Sequence, residues 1–66
     1  MTTDQAVEAL CHIGEQMKQQ ADQLAKLARW QRETGKQQTA DFLRMMADKT
    51  LDTSDRIFNE AAVIES

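Results

Sequence analysis

At 66 residues, with no proline, a single cysteine and a formal net charge of -3, the chain has room for one small domain. A domain of this size buries only about 60% of the surface its unfolded form exposes, and the lone Cys11 excludes an internal disulfide as a remedy. The acidic balance argues against a broad nucleic-acid binder, no apolar run reaches the roughly 20 residues of a membrane span, and no Cys/His cluster offers a metal cage, so self-association is the expected aid to stability.

The opening residues MTTDQAVEAL lack the basic flank and long apolar run of a secretory leader. With one thiol, the expected location is the reducing cytoplasm. Thr2 and Gln5 stand at capping-box spacing, and Asp4 places a negative charge where a helix dipole favours one. Ala, Gln, Leu, Met, Lys and Glu dominate the chain, a helix-forming composition. An apolar seam then runs Ala6, Leu10, Ile13, Met17, Leu24, Leu27, in steps of three and four, with Gln20 at the skipped position. That is a heptad pattern. Along its flank Val7, Gly14, Ala21 and Ala28 recur every seven residues. Gly14 in mid-helix costs about 1 kcal/mol relative to alanine. Close approach of another backbone would explain it; a merely tolerated glycine is the alternative.

The pattern predicts a first helix over about 3–33 and a turn at 34–37. Gly35 suits the left-handed closing residue, and Arg29, Arg32 and Lys36 stand where the helix C-terminus favours cations. A second helix is expected over about 38–64. Its seam reads Ala40, Leu43, Ala47, Thr50, Ser54, Ile57, Ala61, Ile64, with small and large residues on alternating heptad positions that let facing layers interdigitate. Leu51 and Phe58 form a flank of their own.

The expected fold is therefore all-α, an antiparallel two-helix hairpin. Reversal near Gly35 pairs Leu27 with Leu43, Leu24 with Ala47, Ile13 with Ile57 and Leu10 with Ala61 by the arithmetic of the register. Gln20 falls beside Thr50, either as a polar layer that fixes register or as a side chain reaching for water. Core and flank together make a face wider than one partner helix covers. Two hairpins dimerising into an antiparallel four-helix bundle would cover it, with Leu10, Ile13, Met17, Leu24, Leu27, Leu43, Ala47, Leu51, Ile57, Phe58 and Ala61 as core and dimer positions.

Little points to catalysis. Glu8, His12 and Glu15 share a helical face but lack a fourth metal ligand, and His12 has no nucleophile or oxyanion donor beside it. No phosphate-binding loop or Ser-His-Asp set is present, so the chain is expected to be no enzyme, with no cofactor, metal or small-molecule substrate. Cys11 reads as a half-buried apolar filler or as a bridge across a symmetric dimer.

The charges are unevenly spread. Asp41, Asp48 and Asp55 repeat every seven residues and Asp52 lies one turn from the last two, an acidic ridge on the second helix. It suits a basic protein surface such as a DNA-binding domain, or serves as a solubilising face. Trp30 and Phe42 bracket the turn, with Met45 one helical step beyond. They are expected to face each other, either closing the end of the core or, ringed by Arg29, Arg32 and Arg44, forming a binding patch.

In hairpin length and small/large layering the chain resembles, over nearly its whole length, the plasmid repressor-of-primer family. That likeness implies a four-helix-bundle dimer binding paired RNA loops, here through Lys18, Lys26 and Arg29. In size, acidity and helical character it also resembles small phage-encoded inhibitors of host regulators, of the quorum-sensing anti-activator type, which implies binding to a transcription factor's DNA-binding domain. The expected function is the second, a homodimeric protein-binding inhibitor of a host regulatory protein. The RNA binder and a structural adaptor subunit are the alternatives.

Overall fold

Thr2 starts the first helix by the expected exchange: its Oγ1 accepts from the Gln5 backbone N–H at 3.2 Å, and its own N–H donates to Gln5 Oε1 at 3.0 Å. This satisfies two of the donors that a helix start leaves unpaired. In the computed structural model, which describes residues 2–66, α1 runs Thr3–Glu33 and α2 runs Gln37–Glu65. The second helix thus begins one residue earlier and ends one later than expected. No strand occurs among the described residues.

Between the helices the chain reverses in three residues. Gly35 takes φ 82°, the left-handed conformation that only glycine adopts without a steric penalty. The Lys36 N–H donates to the Gln31 carbonyl at 2.8 Å and the Gly35 N–H to the Arg32 carbonyl at 3.1 Å. This paired closure absorbs carbonyls that the end of α1 would leave bare. Lys36 then caps α2 without any side-chain hydrogen bond, and no acidic residue occupies that helix's first turn. The start of α2 is the poorer of the two.

The helices pack as an antiparallel, all-α hairpin, a rod with Cα extents of 49 × 14 × 12 Å. At about 1.5 Å per residue, a 31-residue helix accounts for nearly all of that length. The buried residues of the seam between the helices are all small. Gly14, Ala21 and Ala28 are buried on α1, and Ala40, Ala47, Ser54 and Ala61 on α2. Ser54, 1% exposed, donates its hydroxyl to the Gly14 carbonyl of the opposite helix at 2.8 Å. The Phe58 ring lies over the same glycine: a Cβ placed there would come within 2.9 Å of Phe58 Cε2 and Cζ. Gly14 is thus a site of close approach, by the Phe58 ring and not by another backbone as expected.

The second helix presents its expected seam, but the first is turned by one heptad row. Ile13 and Leu27 are 45% and 47% exposed, so the pairs Ile13–Ile57 and Leu27–Leu43 do not form the centre of the hairpin. Leu10 and Leu24 are half-buried and flank the centre, which Ala21 and Ala28 occupy on α1. The Gly14–Ser54 contact sets a register in which Ala21 falls opposite Ala47 and Ala28 opposite Ala40. The physical reason is size. A row of Gly and Ala facing a row of Ala and Ser lets the backbones approach, whereas Ile13 and Leu27 would hold them apart. Leu10, Met17 and Leu24 stay half-buried beside the seam, as do Leu43, Thr50 and Ile57 on α2. Gln20 is exposed, and the Thr50 hydroxyl donates to the Met46 carbonyl of its own helix at 2.8 Å. The polar layer expected from those two therefore does not form within the hairpin. The buried polar contact is Ser54 to Gly14 instead.

Candidate functional site

The small-residue seam divides the rod's surface into two long faces, and position on the helix decides which residues share each. Asp41, Asp48 and Asp55 each follow a seam residue by one position, about 100° around α2. Glu8, Glu15 and Asp22 hold the equivalent offset on α1 from Val7, Gly14 and Ala21. In an antiparallel pair, equal offsets fall on the same side. A shallow groove bears this out: its floor is Ala21, Ala25, Ala47 and Leu51, and its walls include Glu15, Asp22 and Asp48 with Lys18 and Arg44. The acidic ridge read from α2 is thus one wall of a charged face whose other wall comes from α1. Sequence reasoning saw only the first. The seven-residue repeat of Glu8, Glu15 and Asp22 carried the signal, but its meaning depends on which row of α1 faces α2.

The ridge is partly tied up in its own helix. Arg44 reaches Asp48 at 3.7 Å and Arg56 reaches Asp52 at 3.2 Å, while Gln37 donates to Asp41 at 3.2 Å. On α1, Lys26 pairs with Asp22 at 3.4 Å. All are exposed pairs or contacts one helical turn apart, which contribute little to stability and exchange readily for an external partner. Asp52 lies further round α2 than the three-residue row, towards the outer side of the hairpin.

The turn-end patch is divided rather than gathered. Trp30 and Phe42 are each 57% exposed, so neither closes the end of the core. Each stands two residues beyond a buried alanine, Ala28 or Ala40, and so about 200° around its own helix, on the outer side. The two rings consequently do not face each other. Trp30 sits beside Gln23, Lys26 and Leu27 on α1. Phe42 and the exposed Met45 lie on the outside of α2. Arg32 and Arg44 follow seam residues by four positions and belong with Arg29 to the charged side, so they do not ring the aromatics. The candidate partner-binding residues thus fall into two groups: a charged face with Asp41, Asp48, Asp55, Arg29, Arg32 and Arg44, and outer aromatic positions at Trp30, Phe42 and Met45.

The remaining polar groups are ordinary surface. His12 Nε2 lies 3.3 Å from the Gln16 amide nitrogen, one turn along α1. Among the described residues no group of three His, Cys, Asp or Glu side chains is arranged to hold a metal ion. Cys11 is a half-buried free thiol. No helix among the described residues is long and apolar enough to cross a membrane. Comparison with protein-family models, with curated proteins and with solved structures gives no match for this chain.

Proposed function

We propose that this chain acts in the cytoplasm by binding another protein, as a homodimer and without catalysis, and that it inhibits its partner. The partner assigned is a host transcriptional regulator, held at its DNA-binding domain. One observation carries this reading: two acidic rows, Glu8/Glu15/Asp22 and Asp41/Asp48/Asp55, border a single face of the rod. A DNA-binding surface is basic because it must neutralise phosphates, so a face whose two rows of carboxylates outnumber Lys18, Arg29, Arg32 and Arg44 steers towards it and competes with DNA for the same cations. Trp30 and Phe42 add exposed aromatic anchors near the turn, outside that face.

The test is capture from a bacterial lysate by the wild-type chain and by Asp48→Lys combined with Trp30→Ala, with mass-spectrometric identification and a DNA competition on the captured protein. The expected result is a DNA-binding protein whose recovery falls with added duplex DNA and is lost in the double variant. Equal recovery of every protein by both versions would remove these surfaces from the mechanism. A partner that still binds DNA normally in the complex would make the chain an adaptor. A shift of structured RNA at low salt, falling linearly with the logarithm of salt concentration, would move it to the repressor-of-primer class.

A further inference from the structure

The hairpin leaves its large apolar side chains outside its own core. Every fully sequestered residue is small, and Ser54 is the largest side chain buried to less than 2% exposure. The surface that results is larger than a compact monomer of this mass exposes. The chain exposes 5114 Å², against about 4,250 Å² expected of a compact monomer of its mass. Its radius of gyration is 15.1 Å, against about 11 Å for a compact domain of this length. The excess, roughly 860 Å², is close to the ~800 Å² that each partner contributes to a standard specific interface.

One side of the rod carries a continuous apolar surface, while Leu51 lies on the charged side and Trp30, Phe42, Met45 and Val63 stand singly on the outer sides of the helices. Opposite the charged groove, the half-buried row Leu10, Met17, Leu24 on α1 lies along Leu43, Thr50, Ile57 on α2. Next to these rows come the exposed Ile13, Leu27 and Met46, and Glu60 is the one charged residue among the four heptad rows of this side. Leu10, Ile13 and Ile57 stand towards one end and Leu24, Leu27, Leu43 and Met46 towards the other, while the middle holds Met17 together with the polar Gln20, Thr50 and Thr53.

We infer that this face, and not the charged one, receives a second copy of the chain, giving a four-helix bundle whose middle layer is polar and whose acidic rows all point outward. A second copy fits where a different protein would not need to: the face matches itself apolar end to apolar end and polar middle to polar middle. Gln20, which finds no partner inside the hairpin, then meets the polar middle of the other hairpin. The bundle presents its charged groove twice, on opposite sides. The inference rests on the homodimer in the proposed function and is independent of what the charged face holds.

Sedimentation equilibrium of the wild-type chain should give twice the 7.5 kDa protomer mass. In a mixture of labelled and unlabelled chains, intermolecular NOEs should arise from the methyls of Leu24, Met17 and Ile57 and be absent from Leu51, on the charged side. Leu24→Glu should weaken dimerisation at least about 100-fold, because it desolvates a carboxylate, while Leu51→Glu leaves it unchanged. A helical chain that sediments as a protomer at ~100 μM overturns the inference, and so do intermolecular NOEs that map to Leu51 and Phe58. The NOE experiment needs no variant, so a misfolded Leu24→Glu does not blunt the test. A dimer of this kind that captures no partner would sink the regulator reading alone; a monomer that captures one would do the reverse.

Discussion

The seam between the two helices and the apolar face beside it are built from opposite kinds of residue. Along the seam, Ala21, Ala28, Ala40, Ala47 and Ala61 are each at most 3% exposed. Beside it, the leucines, isoleucines and methionines remain half-buried or exposed. The contrast separates two quantities that usually go together. Small residues bring backbones close enough for a side chain of one helix to bond the main chain of the other, as Ser54 does with Gly14. They bury little apolar area in doing so, and apolar area is the main source of folding free energy. The seam therefore sets geometry, while most of the larger apolar side chains stay outside it.

Overpacking the seam should break this arrangement most severely. Ala47→Leu forces an isobutyl group between backbones held at alanine spacing, with an expected loss of about 1–3 kcal/mol. Thermal melts monitored by circular dichroism at fixed protomer concentration would show it, at about 4–8 °C per kcal/mol for a domain of this size. Leu51→Ala on the charged face should move the midpoint far less, within about 0.5 kcal/mol. Equal shifts for the two would mean that the seam is not tightly specified.

The Ser54–Gly14 bond is the next contrast to test. Ser54→Ala removes a buried cross-helix hydrogen bond, and a loss of about 0.5–1.5 kcal/mol is expected from urea titrations. Gly14→Ala sets the helix preference for alanine, worth about 1 kcal/mol, against the Phe58 ring, which a new Cβ would meet at 2.9 Å. The ring must swing outward, and the expected net effect is a small loss. Pairing Gly14→Ala with Phe58→Leu should recover stability beyond the sum of the single changes, a coupling that a double-mutant cycle reads directly. Additive effects would show that ring and glycine do not constrain each other.

The last contrast lies at the start of α2, which differs from the doubly bonded start of α1. Lys36 offers no side-chain acceptor and places a cation at a helix N-terminus. Lys36→Asp should supply both missing features and raise stability by about 0.5–1 kcal/mol in the same urea titration. No gain would indicate that the Lys36 backbone conformation already limits capping there.

Much of this architecture was legible in the sequence because its causes are local. Thr2 and Gln5 cap α1 through bonds three residues apart, and Gly35 turns the chain because it lacks a Cβ. The α2 seam was legible too, since its small and large residues alternate on two clear heptad rows. The orientation of α1 was not. Leu10, Met17 and Leu24 belong to two possible seams, one completed by Ile13 and Leu27 and the other by Gly14, Ala21 and Ala28. Hydrophobicity favours the first; complementarity with Ala40, Ala47 and Ser54 selects the second. The candidate surface inherited that ambiguity. With α1 turned by one row, Glu8, Glu15 and Asp22 join the acidic face, and Trp30 moves away from Phe42.

By itself, then, the order of residues determined two long helices, where each begins and ends to within a residue, and the glycine on which the chain reverses. These arise from hydrogen bonds and backbone preferences acting within a few positions. Only the tertiary structure decided which stripe of α1 lies inward, and with it which charges share a face and which greasy side chains stay outside. That choice depends on how closely two backbones can approach, a property of the pair of helices and of neither one alone.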